Sequence, residues 1–225
     1  MLLKSGRFIN RLIDRIFKLI KFKLINLVNK TYIPRQIYIF LFVWESQYIK
    51  SLKMINNLYT FSEIINVKNL QWSFPIRLRE RGRKCYLKGL INRGFNLAKE
   101  YNIDKIDFKE NDIIIDCGAN LGDSWIFLDQ LNIELKYFAF EPGKDEFKAL
   151  EYNIQNNHSK VCSAAKQKAL GNIETKSDIF YSPKGGDSSL IEISNYEYQY
   201  QVEVDTLDSF IQSNGLLGKK SNYSN

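Results

Sequence analysis

The chain has 225 residues, 44% of them hydrophobic and 25% charged, which is an ordinary globular composition sized for one domain plus an extension. Its net charge of +7 is carried entirely by residues 1–34, where Lys4, Arg7, Arg11, Arg15, Lys18, Lys21, Lys23 and Lys30 face the single acid Asp14, so the remaining chain is balanced. Cys85, Cys117 and Cys162 are odd in number and far apart, which excludes a zinc-ligand spacing and a disulfide framework and points to a reducing, intracellular compartment.

In residues 1–75 the pattern predicts a basic, helical N-terminal extension. Phe8, Ile9, Leu12, Ile13, Ile16, Phe17, Leu19 and Ile20 recur at helical spacing, with Arg7, Arg11, Asp14, Arg15, Lys18 and Lys21 filling the other face. Charges interrupt the apolar residues and no small-residue cleavage site follows, so no signal peptide fits. The apolar run 37–44 (IYIFLFVW) is well short of the ~20 residues that span a bilayer as a helix. Two settings suit residues 7–28. The apolar face packs on the following domain or on a partner subunit, or the helix lies on an anionic membrane surface as a peripheral contact. Nucleic-acid binding is a distant third reading and no nucleic-acid partner is expected, because no binding motif is present and the aromatics do not interleave with the basic residues.

The stretch 76–84 (IRLRERGRK) holds Arg77, Arg79, Arg81, Arg83 and Lys84. It reads as a solvated face, with receipt of a phosphate or acidic sugar as the alternative. Residues 85–101 read as a helix with Leu87, Leu90, Ile91, Phe95, Leu97 and Ala98 as its apolar positions, and 102–110 as a connection.

Residues 112–122 read DIIIDCGANLG. Ile113, Ile114 and Ile115 form a short β-branched run typical of a buried parallel strand. Asp116 ends the strand, Gly118 to Gly122 make a tight loop of small residues, and 124–131 (SWIFLDQL) reads as a helix. Cys117 is expected to be a small buried filler. Strand, glycine loop and helix together begin a doubly wound nucleotide-binding fold. A second strand, 137–142 (YFAFEP), ends in Glu141, about where an acid meets the ribose hydroxyls of a nucleotide. A carboxylate at Asp116 is poor company for a pyrophosphate and suits a cationic, phosphate-free cofactor such as S-adenosylmethionine; the alternative is that it only caps the loop. A helix over 144–156 follows, burying Phe147, Leu150 and Ile154, and a third strand is expected within 162–170, with 167–170 as the favoured span, its end flanking the adenine. His158 lies in a polar run and reads as a surface residue, neither base nor ligand.

Residues 177–182 and 198–204 read as strands able to pair antiparallel, with a glycine-rich turn at 183–187 and a short helix at 205–212. Asp187, Ser188 and Ser189 are candidates for the substrate side, with a turn or cap as the alternative. Asp187 and Asp205 are the available general bases, although neither can be assigned. No metal cluster is visible.

DCGANLG, FAFEP, KALGN, SSL and VDTLD occur in the order found in the FkbM family of S-adenosylmethionine-dependent methyltransferases, and the chain resembles that family over residues 74–210. The resemblance implies an α/β, Rossmann-like (class I) methyltransferase fold in residues 76–225. It implies that Asp116, Gly118, Asn120 and Gly122 form the cofactor loop, that Glu141 holds the ribose, and that Ala169 and Leu170 line the adenine side. It further implies O-methylation of a sugar hydroxyl on a surface polysaccharide or glycolipid precursor, in the cytoplasm or on the inner face of the membrane. The family pattern continues with a fourth strand ending in an acid–glycine motif, whereas 215–225 (GLLGKKSNYSN) is polar. The expectation is therefore a sheet incomplete at its C-terminal half, with the first strand left as an unpaired apolar edge. Two other classes remain open: an inactive remnant binding only a membrane surface or partner, and a nicotinamide-dependent oxidoreductase, disfavoured because the loop reads D-x-G-x-N-x-G.

Overall fold

The computed structural model describes residues 43, 46, 48–49, 51–56, 58–75, 84–181, 188–194, 196 and 198–216. The amphipathic segment 7–28, the run 37–42, the arginine cluster 77–83 and Asp187 lie outside the described residues.

The fold is mixed α/β, built on three sheets. An antiparallel meander comprises β1 (Lys53–Ile55), β2 (Leu58–Ile65) and β3 (Lys68–Pro75). This corrects the helical reading of residues 1–75 for their described C-terminal part. Leu58 to Ile65 is rich in β-branched and aromatic residues. The two-residue connection Asn66-Val67 holds Asn66 at φ 55°, a left-handed conformation that Asn tolerates. Helix α1 (Leu90–Glu100) and a short 3₁₀ turn (Ile103–Lys105) lead into the second sheet.

That sheet is parallel, ordered β4-β5-β6, with β4 at Ile113–Cys117, β5 at Leu135–Phe140 and β6 at Val161–Lys166. Helices α2 (Asp123–Gln130) and α3 (Lys144–Gln155) make the crossovers, close to where the pattern put them. The third strand is a correction of the favoured span: it runs over Val161–Lys166, in the first half of the expected 162–170, and not over 167–170. Its sequence, VCSAAK, has a single β-branched residue, so its propensity is poor and its pairing with β5 decides. Ala169–Gly171 is a separate strand, β7, in the third sheet. That sheet is ordered β7-β10-β8-β9, with β8 at Thr175–Tyr181, β9 at Ser188–Ser189 and β10 at Tyr198–Thr206. β8 and β10 pair antiparallel, as their alternation predicted, and α4 (Leu207–Ser213) follows.

One core joins the meander to the parallel sheet. Trp72 of β3 stacks on Trp125 of α2, and Phe74 on Tyr86, with all four rings buried. Burying a large apolar side chain contributes about 2–3 kcal/mol. Polar ties reinforce the join. Glu63 of β2 accepts the Leu90 N–H that opens α1 (2.7 Å), and Lys68 of β3 pairs with buried Asp129 of α2 (2.9 Å). Asn153 of α3 uses its whole amide: Nδ2 donates to Ser73 O and Leu121 O, and Oδ1 accepts from Ser73 N and Oγ. One turn on, Asn157 bonds both backbone groups of Gln71. Two amides, one in the last turn of α3 and one just past its end, therefore serve the outer edge of β3 as a neighbouring strand would. On the opposite face of the parallel sheet, Phe138 and Phe140 of β5 meet Phe210 of α4 edge-on at 5.2 and 4.9 Å.

Candidate functional site at the tip of the first parallel strand

β4 ends at Asp116-Cys117 and the chain turns through Gly118, Ala119, Asn120, Leu121 and Gly122 before α2 begins. Three of these residues are left-handed: Gly118 at φ 78°, Asn120 at 52° and Gly122 at 83°. At Gly122 a side chain would also lie 2.9 Å from Leu150 Cδ1, so the backbone sits directly on α3. The tight bend folds the loop's own N–H groups inward. Gly118 and Ala119 donate to Phe140 O (2.8 and 2.9 Å), Asn120 to Glu141 Oε2 (2.8 Å) and Gly122 to Ala119 O (2.8 Å).

The loop leaves one buried acceptor unmatched. Asn120 Oδ1 is buried and has no hydrogen-bond partner among the described residues. An unpaired buried acceptor costs about 1–3 kcal/mol, so it marks a place where a donor belongs. Asp116 stands beside it. Tyr137 OH donates to Asp116 Oδ2 (2.5 Å), Ser124 Oγ donates to the same oxygen, and no described residue donates to Oδ1. Behind the loop, buried Glu141 accepts from Gly143 N (2.7 Å) as well as from Asn120 N. Burial pushes its carboxyl up to about 7 against the lowering effect of those two donors, with the charges of Glu146 and Asp116 adding to the rise.

A cleft of about 890 Å³ runs along β4 between its outer edge and α1. Asp116, Gly118 and Asn120 line it, together with Ile113, Ile115 and Arg93. Gly122, Glu141, Ala169 and Leu170 are not among its lining residues. Ala169 is buried in the third sheet against Val204, and half-buried Leu170 pairs with Asp205. The cleft follows β4 because that strand is the end of its sheet: no described strand pairs with its outer edge.

No family model matches the chain, and no curated protein or solved structure does either.

The remaining candidates divide. Asp205 is held by Lys168 (2.9 Å), which also pairs with Glu203 (3.1 Å), so its charge is already matched. Ser189 accepts the N–H of Ile191 in a local turn, matching the cap alternative. Cys117 is exposed rather than buried, because strand alternation turns it to the face opposite Asp116. His158 is exposed. No group of three or more His, Cys, Asp or Glu among the described residues could hold a metal ion, and no described helix is long and apolar enough to cross a membrane.

Two clusters were not anticipated. Tyr137 and Ser124 around Asp116 is one; a hydroxyl inside an apolar strand reads as core, and only its buried OH signals a partner. The other is Asp123, buried at the start of α2 and shared by Tyr86 OH (2.6 Å) and Arg93 Nε (2.7 Å). The proximity of Asp123 raises the Arg93 guanidinium further above its ordinary range despite the opposing effect of burial.

Proposed function

We propose that this chain is an S-adenosylmethionine-dependent methyltransferase of Rossmann-like, class I architecture. The observation that carries the reading is the polarity of the loop. Four of its N–H groups are spent inside the protein, and two side-chain oxygens, Asn120 Oδ1 and Asp116 Oδ1, have no donor among the described residues. A pyrophosphate needs the reverse, N–H donors and no nearby carboxylate. An ammonium group and ribose hydroxyls supply donors, and a sulfonium charge is welcome beside an aspartate. The residues present therefore suit the cofactor.

Asp116 and Asn120 would hold its cationic amino acid end. Glu141, buried behind the loop and outside the lining of this cleft, would take the ribose diol only on exchanging the Asn120 and Gly143 N–H groups for hydroxyls. When bound, S-adenosylmethionine supplies an electrophilic methyl group. The chain's contribution is to fix the acceptor oxygen in line and to keep water away, and such positioning provides much of the rate of a transfer of this kind. The class of acceptor, a sugar hydroxyl, rests on the motif resemblance to FkbM methyltransferases. The test is titration calorimetry of the full chain. S-adenosylhomocysteine is expected to bind with one-to-one stoichiometry and NAD not at all. Binding of NAD alone replaces this reading by an oxidoreductase.

A second reading, a protein that binds a partner without transferring anything, is favoured by one observation: the bare outer edge of β4. It predicts binding of neither nucleotide.

A further inference from the structure

Asp116 is not an isolated carboxylate. In the parallel register Asp116 lies opposite Ala139 and Ile114 opposite Tyr137, so Asp116 and Tyr137 share one face of the sheet. α2 crosses that face and brings Ser124 to the same point. The three side chains close a triangle: both hydroxyls donate to Asp116 Oδ2, and Ser124 Oγ lies 3.0 Å from Tyr137 OH. Tyr137 is fully buried, so its hydroxyl depends on this one place for its partners. Burial first and the neighbouring Asp116 charge second push its phenol well above the ordinary range, and it remains a donor at every working pH.

Two donors on one carboxylate oxygen settle the rotation of the group. Oδ2 is turned into the protein and Oδ1 is left to the cleft that Asp116 lines. The other charged or titratable groups near it do not compete for this place. Asp123 is matched by Arg93, Glu141 is bonded to the backbone behind the loop, and Cys117 is on the opposite face.

We infer that Tyr137 and Ser124 are positioning residues that aim Asp116 Oδ1 into the cleft, so that the site distinguishes adenosyl compounds bearing an α-ammonium group from those lacking one. The inference rests on the methyltransferase reading and names what makes that site selective. S-adenosylhomocysteine carries the ammonium, and 5′-methylthioadenosine offers the same nucleoside and sulfur without it.

The experiment measures the Kd of both compounds on the full-length protein and on Tyr137→Phe, Ser124→Ala and Ser124→Thr. Loss of one hydroxyl is expected to weaken S-adenosylhomocysteine about tenfold, the scale of one hydrogen bond to a charged group. Affinity for 5′-methylthioadenosine is expected to stay within about twofold on that scale. Ser124→Thr, which keeps the hydroxyl, is expected to retain the preference. Equal losses for both compounds in Tyr137→Phe and Ser124→Ala, or no loss for S-adenosylhomocysteine, overturn the inference while leaving the cofactor reading in place. A wild-type protein that binds neither compound overturns both. Should Tyr137→Phe fail to fold, the two Ser124 variants decide the matter, since Ser124 is only half-buried.

Discussion

At the scale of single residues, the polar groups in the interior set how the molecule responds to pH. Glu141 has the largest quantified rise among the carboxyls, from an ordinary 4.5 to about 7. Glu63, desolvated beneath α1, and Glu146, desolvated beside Tyr181, are raised in the same direction. A raised carboxyl means that the folded chain holds the proton more tightly than the unfolded one. The stabilisation is therefore complete below the unfolded value and is lost as pH rises through the folded one. For Glu141 the difference amounts to about 3 kcal/mol. The thermal midpoint of the wild type is expected to fall between pH 5 and 8, and Glu141→Gln is expected to flatten much of that slope. Ligand binding should run the other way. Ribose hydroxyls donate to an ionised carboxylate, so affinity for S-adenosylhomocysteine is expected to rise about tenfold between pH 6 and 8 in calorimetry, and the rise should vanish in Glu141→Gln.

Among the elements, two contacts carry more than their size suggests. Gly94 of α1 lies directly against α2. A Cβ there would stand 2.9 Å from Ile126 Cβ and 3.0 Å from the Phe127 backbone nitrogen. Alanine favours a helix interior by about 1 kcal/mol over glycine, but the two helices would have to separate, at a cost of about 1–3 kcal/mol. Gly94→Ala is therefore expected to lower the unfolding free energy by about 1 kcal/mol in a urea titration, against its propensity. The second contact is Asn153. Asn153→Ala would strip partners from Ser73 N, Ser73 O and Leu121 O, all buried behind the loop, and is expected to cost on the order of 3 kcal/mol by the same measurement. These contacts also mark where reading from residues stops. β4, its glycine loop, α2, β5 and α3 were legible because each is set by local pattern: a β-branched run, small residues at left-handed positions, helical spacing. β6 was legible as a strand within 162–170 but not in its position, since Val161 to Lys166 is made a strand by its neighbour. Asn153 reads as one more polar residue on a helix, Tyr137 as one more aromatic in a strand. Their roles exist only once β3 or β4 lies alongside. The acids Asp116 and Glu141 were singled out from their positions after apolar strands, but Glu141's bonding to the loop backbone follows from the bend itself, which spacing does not encode.

For the molecule as a whole, the open side of the parallel sheet governs behaviour in solution. β4 presents Ile113, Ile114 and Ile115, all half-buried, beside backbone groups that no described strand engages. Such an edge invites pairing with another chain. The wild type is expected to self-associate as concentration rises, in sedimentation or light scattering. Ile113→Lys, on the face away from the main core, is expected to suppress this while moving the thermal midpoint by no more than a few degrees, since the position is half-exposed. An unchanged association would place the sticky surface elsewhere.

The amide pair at the end of α3 has a consequence for changes of chain length. Asn153 and Asn157 reach β3 together because α3 turns Asn153 inward and ends at Gln155, which leaves Asn157 just beyond the Asn156 cap on the same side. One residue inserted upstream within α3 would swing both by about 100° and detach them together. An extra residue in the turn after Asn157, at Ser159 or Lys160, leaves that alignment alone. Natural or engineered insertions should thus be tolerated at the helix's exit and rejected within it, and a scanning-insertion library read out by soluble expression would draw that border at a single turn of chain.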